Sequence, residues 1–296
     1  MNNVAYSKTI NIARPLSLRH PRGFNTKEFI IYIFLGIWAL VNLFPLYWMF
    51  TFSLKNNAEI FGDNVIGLPN DWLWSNYESA LRVGNMGHFF VNSFIVSGIT
   101  IILTVIIAMM AAFALTRMIW KGRKFMNNMF LLGMTVPIHA AILPVFLVLS
   151  KLKMLDSYQA LIVPYTAFSL SIAILIFTGF LQDIPKEFDE AACIDGCSVW
   201  KLFWKIIFPM MRPAIATVAI FTFIQAWNEL MFALIFISDS NFRTLTVGLQ
   251  ALSGSYTTKW GPIGAALVLA TFPTLIVYAF MSKRIQESFS AGAIKG

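Results

Sequence analysis

Side chains able to do chemistry are few in this sequence, and they are scattered. Three histidines, His20, His88 and His139, fall in three separate regions. Two cysteines, Cys193 and Cys197, sit four apart, with no histidine close enough to complete a metal site, and read as small packing residues in a reducing compartment. No stretch reads Gly-x-x-x-x-Gly-Lys-Ser/Thr, so no loop is present to cradle a phosphate chain. No Ser/His/Asp set and no paired carboxylates stand out. These residues exclude a resident catalytic or cofactor site and point to work done through shape and charge.

One acid is in an unusual place. Glu229 lies deep in the apolar run from Pro213 to Ile237, which holds no other charge. A charge at mid-bilayer is costly, so such a group faces a cavity or a partner. Gln225, Asn228, Glu229 and Phe232 stand at helical spacings of 3, 4 and 7, which predicts a shared face. The expectation is a polar stripe lining a translocation path, with a polar clamp between helices as the alternative. His139, between Pro137 and Pro144, reads as an interior histidine. Asn92, Ser93, Ser97 and Thr100 read as helix-packing groups rather than binding groups.

A second polar island is Glu190-Ala191-Ala192-Cys193-Ile194-Asp195-Gly196, set between the uncharged run Ser157–Leu181 and the run starting at Pro213. Pro185 suits a helix start, because its missing N–H would be unpaired there anyway. Lys186 to Ile194 then reads as a short helix with Phe188, Ala191 and Ala192 on one thin face, able to let another protein's backbone come close. Gly196 takes the positive φ that ends a helix. Ser198 caps a second helix, Val199 to Ile207, with Leu202, Phe203 and Ile206 as its apolar stripe. Pro209 and Pro213 interrupt the entry to the next long segment.

The elements that must hold this island are membrane spans. Of the 296 residues, 58% are hydrophobic and 12% charged, against about 25% charged in soluble domains. A bilayer-crossing helix needs about 20 mostly apolar residues. Six stretches qualify: Phe29–Ser53, Phe89–Leu115, Phe125–Leu149, Tyr158–Leu181, Pro213–Ile237 and Gly261–Met281. Prolines 45, 137, 144, 164 and 273 predict kinks within them. With the N-terminus inside, 16 of the 22 Lys and Arg fall on the inner side. Both termini and the island are therefore expected in the cytoplasm. The net charge of +8 is topological, not a nucleic-acid footprint. No cleavable leader stands out. The expected organisation is a basic tail (1–28), a first span with an outer loop (29–88), a five-helix core with the island at 182–212 (89–281), and a C-terminal tail (282–296). Within the outer loop, Trp72, Trp74 and Tyr77 suit a membrane interface.

Glu190, Ala191, Ala192, Asp195, Gly196 and Pro209 fill the Glu-Ala-Ala…Gly…Pro pattern of the cytoplasmic coupling loop of binding-protein-dependent ABC transporter permeases, which the chain resembles. Met134–Pro137, Pro144, Leu155-Asp156-Ser157, Leu161–Tyr165 and Trp227-Asn228-Glu229 resemble the carbohydrate branch of that family. The tail Gly292–Gly296 is similar to that of the maltose importer's second permease subunit. The resemblance implies an all-α, six-span type I importer permease in a bacterial inner membrane, carrying sugars or oligosaccharides. It implies a coupling loop of Glu190, Ala191, Ala192, Asp195, Gly196, Phe203 and Pro209, and a C-terminal ATPase contact at Lys295 and Gly296. It also implies a second permease subunit, two ATPase subunits that hold the ATP and Mg, and an extracytoplasmic solute-binding protein. An acidic oligosaccharide or a glycerol phosphate derivative is the alternative cargo. An ion-driven carrier, which would need internal repeats and more mid-membrane ionisable groups, and a non-transporting scaffold are the alternative functions.

Overall fold

A computed structural model describes the backbone of residues 26–252 and 259–293, and the side chains of 26–82, 84–252 and 259–280. Among these residues the chain is helical, without strands. Four helices are long and apolar enough to cross a membrane: α1 (Thr26–Ser53), α2 (Met86–Arg117), α5 (Gln159–Asp183) and the Trp260–Phe280 part of α11 (Trp260–Ala293). The count becomes six if two bent pairs are each one span. These pairs supply α3 (Arg123–Gly133), α4 (Ile142–Lys151), α7 (Val199–Met210) and α8 (Arg212–Asn228). Three shorter helices complete the set: α6 (Glu187–Ile194), α9 (Met231–Phe236) and α10 (Leu245–Leu252).

Two expected spans are thus not continuous. The third bends by 98° between α3 and α4. Pro137 donates no N–H and drives Val136 out of the helical region, so the helix stops at Gly133 and restarts after a short 3-10 turn. His139 lies in that turn and is exposed on this chain, not interior. The segment expected to begin at Pro213 instead follows a 76° bend at Met211, between Pro209 and Pro213. It ends at Asn228, and Glu229 and Leu230 separate it from α9.

Among the described residues, those up to Trp48 form one compact unit and those from Met49 a second. In the second unit, α2 and α5 make the most extensive helix pair. Small side chains mark α2: Ser93, Ser97, Thr100, Thr104, Ala108 and Ala112 recur every three or four residues and are buried, and Ala108 and Ala112 share a core with Ala173, Ile174 and Phe177 of α5. In lipid, close approach of backbones takes the place of a hydrophobic driving force, and small residues permit it. The buried hydroxyls of Ser97, Thr100 and Thr104 make no hydrogen bond, so they act by volume. Gly133 brings α3 equally close, since a Cβ there would lie 2.5 Å from Ser171 Oγ.

Beyond α1 the chain folds into a cap. Lys55 is fully buried, and its ammonium donates to the carbonyls of Asn64 and Val65 at 2.6 and 3.3 Å. Asn76 Nδ2 donates to Ser53 O and Lys55 O at 2.9 and 3.0 Å, and the Ser53 and Tyr77 hydroxyls are 2.8 Å apart. Gly261, in the first turn of α11, seats against this cap: a Cβ there would lie 2.4 Å from Asn76 Nδ2 and 2.5 Å from Lys55 O. The carbonyl is backbone and cannot step aside. Gly261→Ala is therefore expected to cost about 1–3 kcal/mol by overpacking and to lower the unfolding temperature in detergent by several degrees. An unchanged melting curve would show that α11 is free to slide.

Candidate functional site

The polar island folds as a helical hairpin. Its first arm, α6, opens with Glu187, Asp189 and Glu190 in the first turn, where the helix dipole favours acids. It closes in a Schellman turn. Cys197 N–H donates to Ala192 O at 2.9 Å and Gly196 N–H to Cys193 O at 3.1 Å, with Gly196 at φ +69°. Asp195, exposed, is the last residue before that glycine. Ser198 caps the second arm, its hydroxyl accepting from Lys201 N–H at 3.4 Å. That arm runs on to Met210 and widens into a π-helix over Leu202–Ile207, a departure from the plain helix expected. The extra residue per turn brings Leu202, Phe203 and Ile207 inward together. Phe203 meets Phe113 of α2 edge to face at 5.4 Å. Pro209 stands in the last turn, just ahead of the bend at Met211.

The shared face expected of Phe188, Ala191 and Ala192 is divided by the fold. Ala192 is buried in the chain's own core with Leu202 and Phe203. Phe188 and Ala191 point outward, and Ile194 extends that exposed line at 86% exposure. The i, i+3, i+6 line of Phe188, Ala191 and Ile194 is the apolar stripe that α6 leaves uncovered. Glu190 is exposed beside it, and so is Cys193, while Cys197 is partly buried.

The group that fixes the hairpin to the spans is Arg117, the last residue of α2, read from sequence as one more topological cation. Its Nη1 pairs with Asp189 Oδ2 at 3.1 Å, and the two side chains are 6% and 19% exposed. Its Nη2 donates to the carbonyls of Leu181 and Ile184 at 2.9 and 2.7 Å. These carbonyls belong to the end of α5, where backbone acceptors lack helical partners. One planar guanidinium thus joins the ends of α2 and α5 to the first turn of α6. A single ammonium has no such fork.

At the far end of α8, about 25 Å away for a 17-residue helix, lies the second candidate group. Because α8 stops at Asn228, the expected common face of Gln225, Asn228, Glu229 and Phe232 does not form. Glu229 is buried and turned back onto α9. Its carboxylate accepts from the N–H groups of Phe232 at 3.0 Å and Ala233 at 3.3 Å, and from the Tyr165 hydroxyl at 2.6 Å. It is a helix cap and an interhelical clamp to α5, the alternative that its depth also allowed. Thr246 holds the Glu229 carbonyl at 2.8 Å. Gln225 approaches Ser169 of α5 at 3.4 Å, and Asn228 is exposed, donating to Ile224 O at 2.9 Å. Lys295 and Gly296 lie outside the described residues.

The helix-packing reading of Asn92 and Ser93 is met in a particular way. Asn92 donates to Asn241 O and Arg243 O and accepts from the Tyr158 hydroxyl, while Ser93 accepts from Leu245 N–H. Both pin the 238–246 connection to α2. Trp227 was unmarked as a single residue: its Nε1 donates to Ala270 O at 3.0 Å, and its ring stacks on Phe223 at 5.3 Å.

Removing Arg117 strands the Asp189 carboxylate and the Ile184 carbonyl, and leaves Leu181 O with only the Ile184 N–H at 3.3 Å. Arg117→Ala is expected to cost about 3–5 kcal/mol, and Arg117→Lys somewhat less. Asp189→Asn should be milder, since the amide oxygen still accepts. Thermal unfolding in detergent, with limited proteolysis at the hairpin, ranks the three. If Asp189→Asn equals Arg117→Ala, the ion pair and not carbonyl capping holds the hairpin. For the second group, Glu229→Ala should lose about 1–3 kcal/mol while Glu229→Gln, which keeps an acceptor, loses less. Equal losses would mean that the negative charge itself is needed.

Residues 104–290 match the family described as "Binding-protein-dependent transport system inner membrane component". The chain is 33% identical to the diacetylchitobiose uptake system permease protein NgcG of Streptomyces coelicolor over 268 residues, covering 90% of this chain and 88% of that one. It is 34% identical to the trehalose/maltose transport system permease protein MalG of Thermococcus litoralis over 275 residues, 91% and 98% of the two chains. Among solved structures, a chain of a bacterial ABC transporter involved in the import of the acidic polysaccharide alginate superposes with a TM-score of 0.76 at 22% identity, covering 89% of this chain and 98% of that one.

Proposed function

The chain belongs to the family of binding-protein-dependent transport system inner membrane components, and on that premise we propose that it carries sugars or oligosaccharides, driven by an ATPase that docks on the α6–α7 hairpin. It is a multi-pass permease with the type I importer fold, a transporter subunit and not a member of an enzyme family. The ion-driven carrier and scaffold alternatives fall with the family assignment. Carbohydrate cargo is supported by relatives more than 30% identical whose names specify diacetylchitobiose and trehalose/maltose. The alginate transporter, at 22% identity, bears on fold alone.

The observation that carries the coupling reading is the uncovered stripe of Phe188, Ala191 and Ile194 on a helix clamped from behind by Arg117 and Phe203. A line of exposed apolar side chains one turn apart on one helix face suits a docking partner, and a clamped helix passes on what pushes it. Two ATPase subunits, holding ATP and Mg, close on nucleotide and press the hairpins of this chain and of a second permease subunit. The spans respond by rocking between inward- and outward-open states. Glu190 and Asp195 flank the stripe as its polar rim, and Gly196 sets the turn. An extracytoplasmic solute-binding protein delivers cargo to the opposite side, where Gln225 and Asn228 line the passage. Both termini and the hairpin lie in the cytoplasm, with 1–28 and 282–296 as tails, 29–88 as first span and outer loop, and 89–281 as core.

Two substitutions at one residue test this. No neighbouring atom lies within 4 Å of a Cβ built on Gly196, so Gly196→Ala meets only the backbone penalty at φ +69°, about 1 kcal/mol. Gly196→Pro forbids that φ and removes the N–H bonded to Cys193 O. Gly196→Ala should retain most ATP-driven uptake from a panel of maltose, trehalose and diacetylchitobiose, and Gly196→Pro should abolish it while inserting normally. Normal uptake by Gly196→Pro sinks the coupling role. Undiminished uptake of every panel sugar in cells lacking the chain sinks the carbohydrate assignment for those cargoes.

A further inference from the structure

On the back of the hairpin, away from the Phe188–Ile194 stripe, lies a cleft that the coupling role does not use. It measures about 250 Å³ and opens between α2 and α7. Met110, Ala114 and Met118 line one wall, and Val199 and Trp200 the other, with the buried rings of Phe113 and Phe203 at its inner end. No lining residue is charged. Met118, Val199 and Trp200 are themselves exposed, so the cleft is open along its rim.

What surrounds that rim is cationic and aromatic. The exposed side of α7 reads Trp200, Lys201, Trp204, Lys205, two Trp–Lys pairs one helical turn apart. The turn following Met118 brings the exposed residues Ile119, Trp120, Lys121, Arg123 and Lys124. Beyond Arg117, these two segments (116–124 and 198–212) carry six cations, the sixth being Arg212, and no carboxylate. Among the described residues none of the six enters an ion pair. Tryptophan with Lys and Arg is the composition of a membrane interface, and clustered cations there select anionic headgroups.

We propose that this cleft is a binding site for an anionic phospholipid, one acyl chain entering between Ala114 and Trp200 and the phosphate held by Lys201, Lys205 and the Lys121–Lys124 turn. Charge complementarity and the wholly apolar lining favour this occupant over a protein segment. The inference rests on the hairpin lying at a membrane surface, as proposed above. The lipid fills the wedge between α2 and the second arm of the hairpin, and so bears on the angle between them. The composition of the leaflet thereby reaches the coupling element directly.

Covalent labelling tests this without reference to transport. The full importer complex is placed in nanodiscs of phosphatidylcholine doped with a phosphatidylglycerol carrying a diazirine on its acyl chain, or with the same probe bearing a choline headgroup. After irradiation, labelled peptides are mapped by mass spectrometry. The phosphatidylglycerol probe should label 110–118 and 199–203 well above the choline probe. Each lysine removed (Lys201→Gln, Lys205→Gln) should lower that excess about fivefold. Ala114→Phe, which fills the cleft, should remove labelling by both probes there while labelling of α1 persists. Equal labelling by the two probes at the cleft overturns headgroup selection. Absence of cleft labelling beside normal α1 labelling shows a protein surface covering it, and also overturns the proposal. A hairpin that failed the Gly196 test would leave either labelling outcome intact, so the two ideas fail separately.

Discussion

A single guanidinium sets the mechanical character of this protein. Arg117 sits where α2 ends, and it spends one nitrogen on Asp189 and another on two carbonyls at the end of α5. Helix termini leave acceptors unsatisfied, and at a membrane boundary those acceptors must find donors. The fold has one side chain meet three such needs. The consequence is that α6 cannot tilt without moving the ends of two spans. Those spans already make the most extensive helix pair among the described residues. Rigid elements joined by short, directional contacts transmit displacement; flexible ones absorb it.

The opposite end of the bundle uses a carboxylate in the same way. Glu229 interrupts a helix, which frees the N–H groups of Phe232 and Ala233, and then satisfies them itself. Tyr165 ties the same carboxylate to α5, whose other end Arg117 holds. Thus α5 is gripped by a cation at one end and by an anion at the other. Both charges are paid for by local hydrogen bonds, which is the condition under which charge survives in lipid. The break at Glu229 separates α8 from α9, and it leaves Asn228 as the exposed end of α8.

How much of this was legible in the residues follows from range. Local rules found the Schellman glycine at 196, the cap at Ser198 and the proline bend near 209–213, since each depends on neighbours within a turn. Hydropathy placed five of the six expected spans to within a few residues, but the fifth, expected at Pro213–Ile237, is matched by a bent pair over Val199–Met210 and Arg212–Asn228. It could not see that the third and fifth are broken, because a run stays apolar whether or not the helix continues through it. Arg117 and Asp189 are 72 positions apart, and nothing in a periodicity announces their meeting. Charge bookkeeping assigned Arg117 to topology, which predicts a side of the membrane for it but not its partners. Glu229 was marked as anomalous for a sound reason, its depth. The face drawn for it assumed a continuous helix, and the carboxylate's own hydrogen bonds are what end that helix.

The division of the Ala191–Ala192 pair shows what the two alanines are for. One methyl faces the chain's own Leu202 and Phe203, and the next faces outward. A larger residue at 192 would lift α6 off the core against which Arg117 and Phe203 hold it. A larger residue at 191 would stand between the exposed stripe and anything docking on it. Adjacent positions on a helix differ by about 100°, so a pair of small residues is the shortest sequence that thins both the inner and the outer side at one level. Narrowness there suits a hairpin that packs on its own core and, as proposed above, takes a partner on its other side. On the coupling proposed above, that closeness would let a push on Phe188 and Ile194 arrive at α2 with little slack between.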